Sequence, residues 1–159
     1  MPAEQSDLSS AADTAPGTVV VRETRLGKFQ QQIISGPHRL IADEPVKAGG
    51  LDSGLGPYDL LLAALGACTS MTLRLYAERK QLPLTRVQVR LRHSRIYATD
   101  CEECETKEGM LDRIERVITL EGNLDAEQRK RLLEIADKCP VHRTLTSEID
   151  IRTVEAPAT

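Results

Sequence analysis

From Pro57 to Arg79 the chain is dominated by apolar residues, and from Leu60 to Ala67 they fall on every side of a helical wheel. That pattern marks a buried helix rather than a surface one. Pro57 is a favoured first-turn residue, and Asp59 complements the positive end of the helix dipole. The spacing predicts one helix over Pro57–Arg79, roughly 35 Å long at 1.5 Å per residue. Gly66 inside the run costs about 1 kcal/mol relative to alanine, which close approach of another element would explain. The polar end, Arg74 to Lys80, reaches solvent.

Alternating patterns flank this central helix. Thr18–Arg25, Phe29–Ser35 and His38–Asp43 read as three strands of an antiparallel meander, with turns at Gly27 and at Gly36-Pro37. Glu44–Gly56 holds Pro45, Gly49, Gly50, Gly54 and Gly56 and reads as a loop. Beyond the helix, Val87–His93 alternates with period two, and Ile114–Glu121 is a second such strand. An acidic loop containing Cys101-Glu-Glu-Cys104 lies between them. Asp125 with Gln128 approximates a capping box and opens a helix predicted to end at Cys139. Leu132, Ile135, Ala136 and Cys139 fall at i, i+3, i+4 and i+7, so Cys139 continues the buried stripe. Leu145–Val154 alternates again and predicts a last strand. The order β-β-β-α-β-β-α-β, without regular βαβ units, indicates an α+β fold. Residues 1–16 are polar and aperiodic and read as a disordered leader, leaving 17–155 as a single domain.

Composition narrows the function classes. A chain of 159 residues, 40% hydrophobic, suits one domain with a real core. A net charge of -3 and an aromatic content of 3% argue against nucleic acid or an anionic membrane as partner. There is no run of eighteen apolar residues and no basic-plus-apolar signal pattern, which points to a cytoplasmic protein. Four cysteines in that compartment are expected to be free, catalytic or metal-bound rather than a disulfide framework.

Cys68 sits in the middle of the central helix, and Cys139 immediately precedes Pro140. Each is open to a structural reading, since free cysteine is among the most buried residue types and an apolar setting keeps a thiol inert. Each is equally open to a redox reading, in which the second thiol resolves the first. Cys101 and Cys104 form a lone CxxC. A structural zinc site wants four ligands, and His38, His93 and His142 have no paired spacing. The flanking carboxylates Asp100, Glu102, Glu103 and Glu105 would raise thiol pKa and disfavour a thioredoxin-like role. A local disulfide, idle surface thiols and a metal site all stay open for this pair. His142 is a candidate base or a helix-end side chain. Arg86, Arg90, Arg92 and Arg95 read as the solvated face of a strand, and Asp112, Arg113, Glu115 and Arg116 as a surface cluster.

Gly49-Gly50 through Pro57, then Leu-Leu-Leu-Ala-Ala-Leu-Gly-Ala-Cys68-Thr-Ser-Met-Thr, together with Cys139-Pro140-Val141-His142, resembles the OsmC/Ohr family of peroxide-detoxifying proteins. The resemblance covers about Thr18 to Thr153. It implies antiparallel sheets packed around the central helix, in an intertwined homodimer with two thiol sites at the subunit interface. It also implies reduction of organic hydroperoxides without metal, haem or flavin, with Cys68 as peroxidatic thiol and Cys139 as resolving thiol. Electrons would come from an external dithiol, possibly of lipoyl type.

A thiolate in an apolar pocket needs a cation beside it. In the family an arginine from the first strands supplies it, oriented by a glutamate near the start of the central helix. Here Arg25, bordering the turn at Gly27, and Arg22 are the candidates, with Lys28 and Arg39 as further cations. Well-characterised members carry Asn-Pro-Glu at the helix start, where this chain has Gly56-Pro57-Tyr58 followed by Asp59. A phenol accepts a hydrogen bond from arginine but supplies no charge. In this respect the chain is more similar to a less characterised OsmC-like branch than to the Ohr core. Two readings of different class follow: a thiol peroxidase, or a non-catalytic small-ligand-binding module on the same fold. A zinc-supported module using Cys101 and Cys104 is a third.

Overall fold

A computed structural model describes residues 15–158 of the chain, so most of the expected leader lies outside the described residues. The chain forms two compact units, one up to Leu60 and one from Leu61 onward. The first contains strands β1 (Val20–Glu23), β2 (Gln31–Ser35) and β3 (His38–Ala42), joined as an antiparallel meander in that order. The strands are shorter than the alternation predicts. Thr24 leaves the ladder to close the first turn, its Oγ1 donating to Gln30 Oε1 at 2.6 Å, and Arg25 takes a left-handed φ of 65°.

The loop after β3 is organised by one buried carboxylate. Asp43 accepts from the backbone N–H of Glu44, Leu51 and Ser53 and, at 2.7 Å, from the Ser53 hydroxyl. The Ser53 hydroxyl, with these backbone donors, holds the Asp43 carboxyl below its ordinary range against the upward push of burial. Gly50 is required here because a Cβ would run into the Glu44 carbonyl.

Helix α1 runs over Pro57–Arg79, as the pattern predicts. In the second unit it is followed by β4 (Leu84–Tyr97) and β5 (Met110–Gly122), an antiparallel hairpin longer at both ends than the sequence suggests. The arginines 86, 90, 92 and 95 face solvent along β4. Helix α2 (Ala126–Ala136) opens on the full capping box of Asp125 and Gln128. Leu73 and Ala77 of α1 pack with Leu84, Leu120, Leu124 and the α2 residues Leu132, Ile135 and Ala136. Leu73 and Leu132 are wholly buried, and truncating either to alanine would cost about 2–5 kcal/mol. By length and composition α1 could cross a bilayer, yet its middle and end are built into this core.

Three expectations are corrected. Helix α2 stops at Ala136, and Cys139 instead caps a further short helix, α3 (Pro140–Leu145), because Pro140 is suited to a first helical turn and has no N–H to continue α2. No strand follows α3 among the described residues. Ile149, Ile151 and Val154 are exposed and have no neighbouring strand to complete a ladder. Finally, α1 is not covered on every side: Leu65, Gly66, Thr69, Leu73 and Ala77 are buried, while Met71 is 71% and Leu75 49% exposed.

Candidate active site

The close approach expected at Gly66 is made by the β4–β5 hairpin. A Cβ on Gly66 would lie 2.8 Å from Leu91 Cδ1, and Leu91 pairs with Arg116 across the hairpin. One helical turn on from Gly66, the α1 surface carries Thr69, which is wholly buried against that arginine. Small residues on α1 thus bring the Cys68 segment onto the hairpin.

Arg116 is the centre of this contact. Its Nη1 donates to Thr69 Oγ1 at 3.0 Å and to the Ala136 carbonyl at 3.4 Å. Its Nη2 pairs with Asp137 Oδ1 at 2.7 Å. The side chain is only 12% exposed, so the reading of Arg116 as a surface residue is corrected. The guanidinium fork supplies several donors in one plane, which lets it tie α1 to the end of α2 in a way a lysine could not. Period two would have revealed it: Arg116 stands in phase with Ile114, Ile118 and Leu120, on the inward face of β5. Thr69, adjacent to Cys68, had no comparable sequence signal.

Cys139 lies at the other end of the network and is wholly buried. Its Sγ accepts from the His142 N–H at 3.4 Å and lies 3.9 Å from Thr69 Oγ1. Cys68, half-buried, has its side chain within hydrogen-bonding reach of the same sulfur. Burial pushes the Cys139 thiol up, but donors outweigh it: the His142 N–H first, then Cys68, Thr69 and the Val141 N–H. The net result is a pKa below the ordinary 9.0. The two cysteines singled out in the sequence are therefore brought together, and the Cys139 sulfur is held by donors rather than by direct contact with a cation. The His142 imidazole is not what touches the sulfur; its Nδ1 stands 4.0 Å from Asp137 Oδ1. Beside the network is a cavity of about 340 Å³, with Leu65, Ile114 and Leu145 on its apolar side and Arg116, His142 and Thr146 on its polar side.

A family model described as OsmC-like protein matches residues 50–154, which include both cysteines and the whole hairpin between them. The chain belongs to this family. Solved structures agree at the level of fold. This OsmC-like chain is similar to an OsmC like protein from Mycoplasma pneumoniae, at 23% identity and a TM-score of 0.61, covering 80% of this chain and 84% of that one. It is also similar to an organic hydroperoxide resistance protein OsmC from Legionella pneumophila, at 21% identity and a TM-score of 0.58, covering 83% and 90%. The organic hydroperoxide resistance protein OhrB of Bacillus subtilis matches at 21% identity and a TM-score of 0.56, covering 84% and 92%. No curated protein sequence matches the chain.

The other family-implied residues belong to the N-terminal unit. Arg22 donates from Nε and Nη2 to Gln32 Oε1 at 3.1 and 3.0 Å. Arg25 is 85% exposed and lies 3.8 Å from Glu23 Oε2. Lys28 sits 4.8 Å over the Phe29 ring, and Arg39 donates to the Gly36 carbonyl at 2.7 Å. Asp59 Oδ2 accepts from the Gly56 N–H at 3.1 Å, capping the start of α1, and Tyr58 is 55% exposed. Cys101 and Cys104 are joined to each other in a disulfide, the local pairing the sequence left open, and in that state neither is a thiolate able to hold zinc.

Proposed function

We propose that this OsmC-like protein is a thiol peroxidase that reduces organic hydroperoxides. The observation that carries the reading is an asymmetry between two neighbouring thiols. Cys68 is partly accessible, whereas Cys139 is wholly buried beside it, with a lowered pKa. The accessible sulfur suits attack on a peroxide, and the buried one suits resolution.

In the first step the Cys68 sulfur gives up its proton and attacks the distal oxygen of ROOH, the O–O bond breaks, and the leaving alkoxide takes that proton to become ROH. Cys68 is thereby oxidised by two electrons to a sulfenic acid. The Cys139 thiolate then attacks the Cys68 sulfur, the S–S bond forms, and hydroxide leaves as water after protonation. An external dithiol, of lipoyl type or similar, restores both thiols and is itself oxidised to a disulfide. The apolar wall of Leu65, Ile114 and Leu145 suits an organic R group. Arg116 acts as a positioning residue, holding Thr69 and the end of α2 so that the two sulfurs meet. The roles that the family resemblance gives Arg25, Arg22, Tyr58 and Asp59 belong to the same proposal. So does a cytoplasmic homodimer, supported by the uncovered apolar stripe of Met71 and Leu75 on α1.

The test is stoichiometric oxidation with cumene hydroperoxide followed by thiol mapping, beside Cys68→Ser. Rapid appearance of a Cys68–Cys139 disulfide, absent in the variant, is the expected result. Slow oxidation of both thiols without pairing would leave the ligand-binding module as the better reading.

A further inference from the structure

The disulfide between Cys101 and Cys104 has no part in the chemistry above. It sits beyond the last rung of the β4–β5 ladder, which ends at Tyr97↔Met110. Leu91↔Arg116, the pair that meets α1, lies six residues back along the hairpin. At about 3.3 Å per residue the tip is therefore about 20 Å from Arg116 and the Cys139 network. Exchange between the two thiol pairs within this fold is out of reach.

The bond is also poorly placed to act as a staple. It joins residues only three apart, so it closes a small loop and removes little entropy from the unfolded chain. The hairpin is already closed without it, by the full ladder and by the Ala98 N–H donating to the Gly109 carbonyl at 2.8 Å. Both sulfur-bearing residues remain partly exposed. A half-exposed disulfide that holds together nothing the backbone has not already fixed is open to exchange rather than protected from it.

The surroundings select the partner. Between Ala98 and Met110 there are five carboxylate residues and one lysine, a net charge of -4. Lys107 Nζ is turned toward the Glu102 carbonyl at 3.4 Å, and Arg113 Nη2 toward the Asp100 carbonyl at 3.4 Å. An anionic thiol such as glutathione is repelled from such a tip, while a neutral dithiol or one set in a basic surface is not.

We propose that Cys101–Cys104 is a second, independent thiol–disulfide exchange site, reduced by a neutral or cation-flanked dithiol. One sulfur of the dithiol attacks one protein sulfur, giving a mixed disulfide and releasing the other cysteine as a thiolate. The second sulfur of the dithiol then attacks the mixed disulfide, leaving as an oxidised cyclic disulfide. Two electrons and two protons pass to Cys101 and Cys104. This does not depend on the peroxidase reading.

The test uses the full chain under graded dithiothreitol or glutathione, with trapped thiols mapped by mass spectrometry. Cys101 and Cys104 are expected to be labelled together, in one two-electron step, with the folded state intact and its melting temperature lowered by less than about 8 °C, the most that so short a loop allows. At low salt, dithiothreitol should react about tenfold faster than glutathione at equal thiolate concentration, the gap narrowing as salt is added. A bond that survives until the domain unfolds, a larger fall in melting temperature on reduction, or equal rates for both reductants would overturn the proposal. So would stoichiometric zinc on the reduced pair.

Discussion

Arg116 on β5 and Thr69 on α1, 47 residues apart in sequence, meet at 3.0 Å. That hydrogen bond joins the helix carrying Cys68 to the turn carrying Cys139, since the same guanidinium also holds Ala136 and Asp137.

Arg116→Ala removes three anchors at once and leaves Thr69 without its charged donor. Charge-assisted hydrogen bonds of this kind are worth about 1.5–3 kcal/mol each, so a loss of about 2–3 kcal/mol in urea unfolding is expected. Arg116→Lys should recover little of it, because an ammonium cannot span the same acceptors. In both variants disulfide formation after peroxide addition should slow more than the first oxidation of Cys68, which quenched-flow thiol trapping would resolve. Equal slowing of both steps would remove Arg116 from its positioning role.

With Cys101 and Cys104 in a disulfide, Cys139 is the sole free thiol in either Cys68→Ser or Cys68→Ala. Serine keeps a hydroxyl that can donate to the Cys139 sulfur, and alanine does not. The thiolate absorbance of the serine variant should therefore titrate below 9.0, and that of the alanine variant higher. Because the folded pKa is depressed, the associated stability is gained as pH rises and is lost as pH falls through the folded value. Coincident titration midpoints would show that the Cys68 donor is unimportant.

Gly66→Ala gains about 1 kcal/mol of helix propensity and asks only that the end of the Leu91 side chain turn aside. Its stability should stay within about 1 kcal/mol of the parent. Gly66→Leu should cost about 1–3 kcal/mol by lifting α1 from the hairpin, and should slow Cys68–Cys139 pairing with it. Thermal unfolding and the oxidation assay check the two effects separately.

Asp43 tests the loop of the N-terminal unit. Its depressed pKa means that its contribution is fully present above the ordinary carboxylate value of 3.8 and is lost as pH falls through the lower folded value. Asp43→Asn should lower the urea midpoint at pH 6, and the difference from the parent should shrink in stronger acid. A difference that is the same at both pH values would contradict the role of the charge.

Met71→Asp places a charge in the uncovered stripe of α1 without touching the buried face. If that stripe is the homodimer seam, sedimentation should show a dimer for the parent and a monomer for the variant. A parent that is already monomeric rejects the seam.

The elements of this chain were legible wherever a local period settled them. Helix α1 follows from its apolar run and Pro57, the meander from alternation and its turns, and α2 from the Asp125–Gln128 box. The two misread ends have different causes: Leu145–Val154 alternates but has no ladder partner among the described residues, and the α2 stripe continues in pattern past the point where Pro140 stops the backbone. The two cysteines stood out by sequence, and their nearness is a product of packing.

What the sequence determined by itself is therefore the meander, α1, the start of α2, the family likeness and the identity of the two thiols, because each rests on residues close together in the chain. What only the tertiary structure decided is which groups act on those thiols. Thr69 and the His142 N–H converge on Cys139 from different elements, and Arg116 holds Thr69 from a third. No local pattern records that convergence, since it exists only once α1, the hairpin and the α2–α3 turn have packed together.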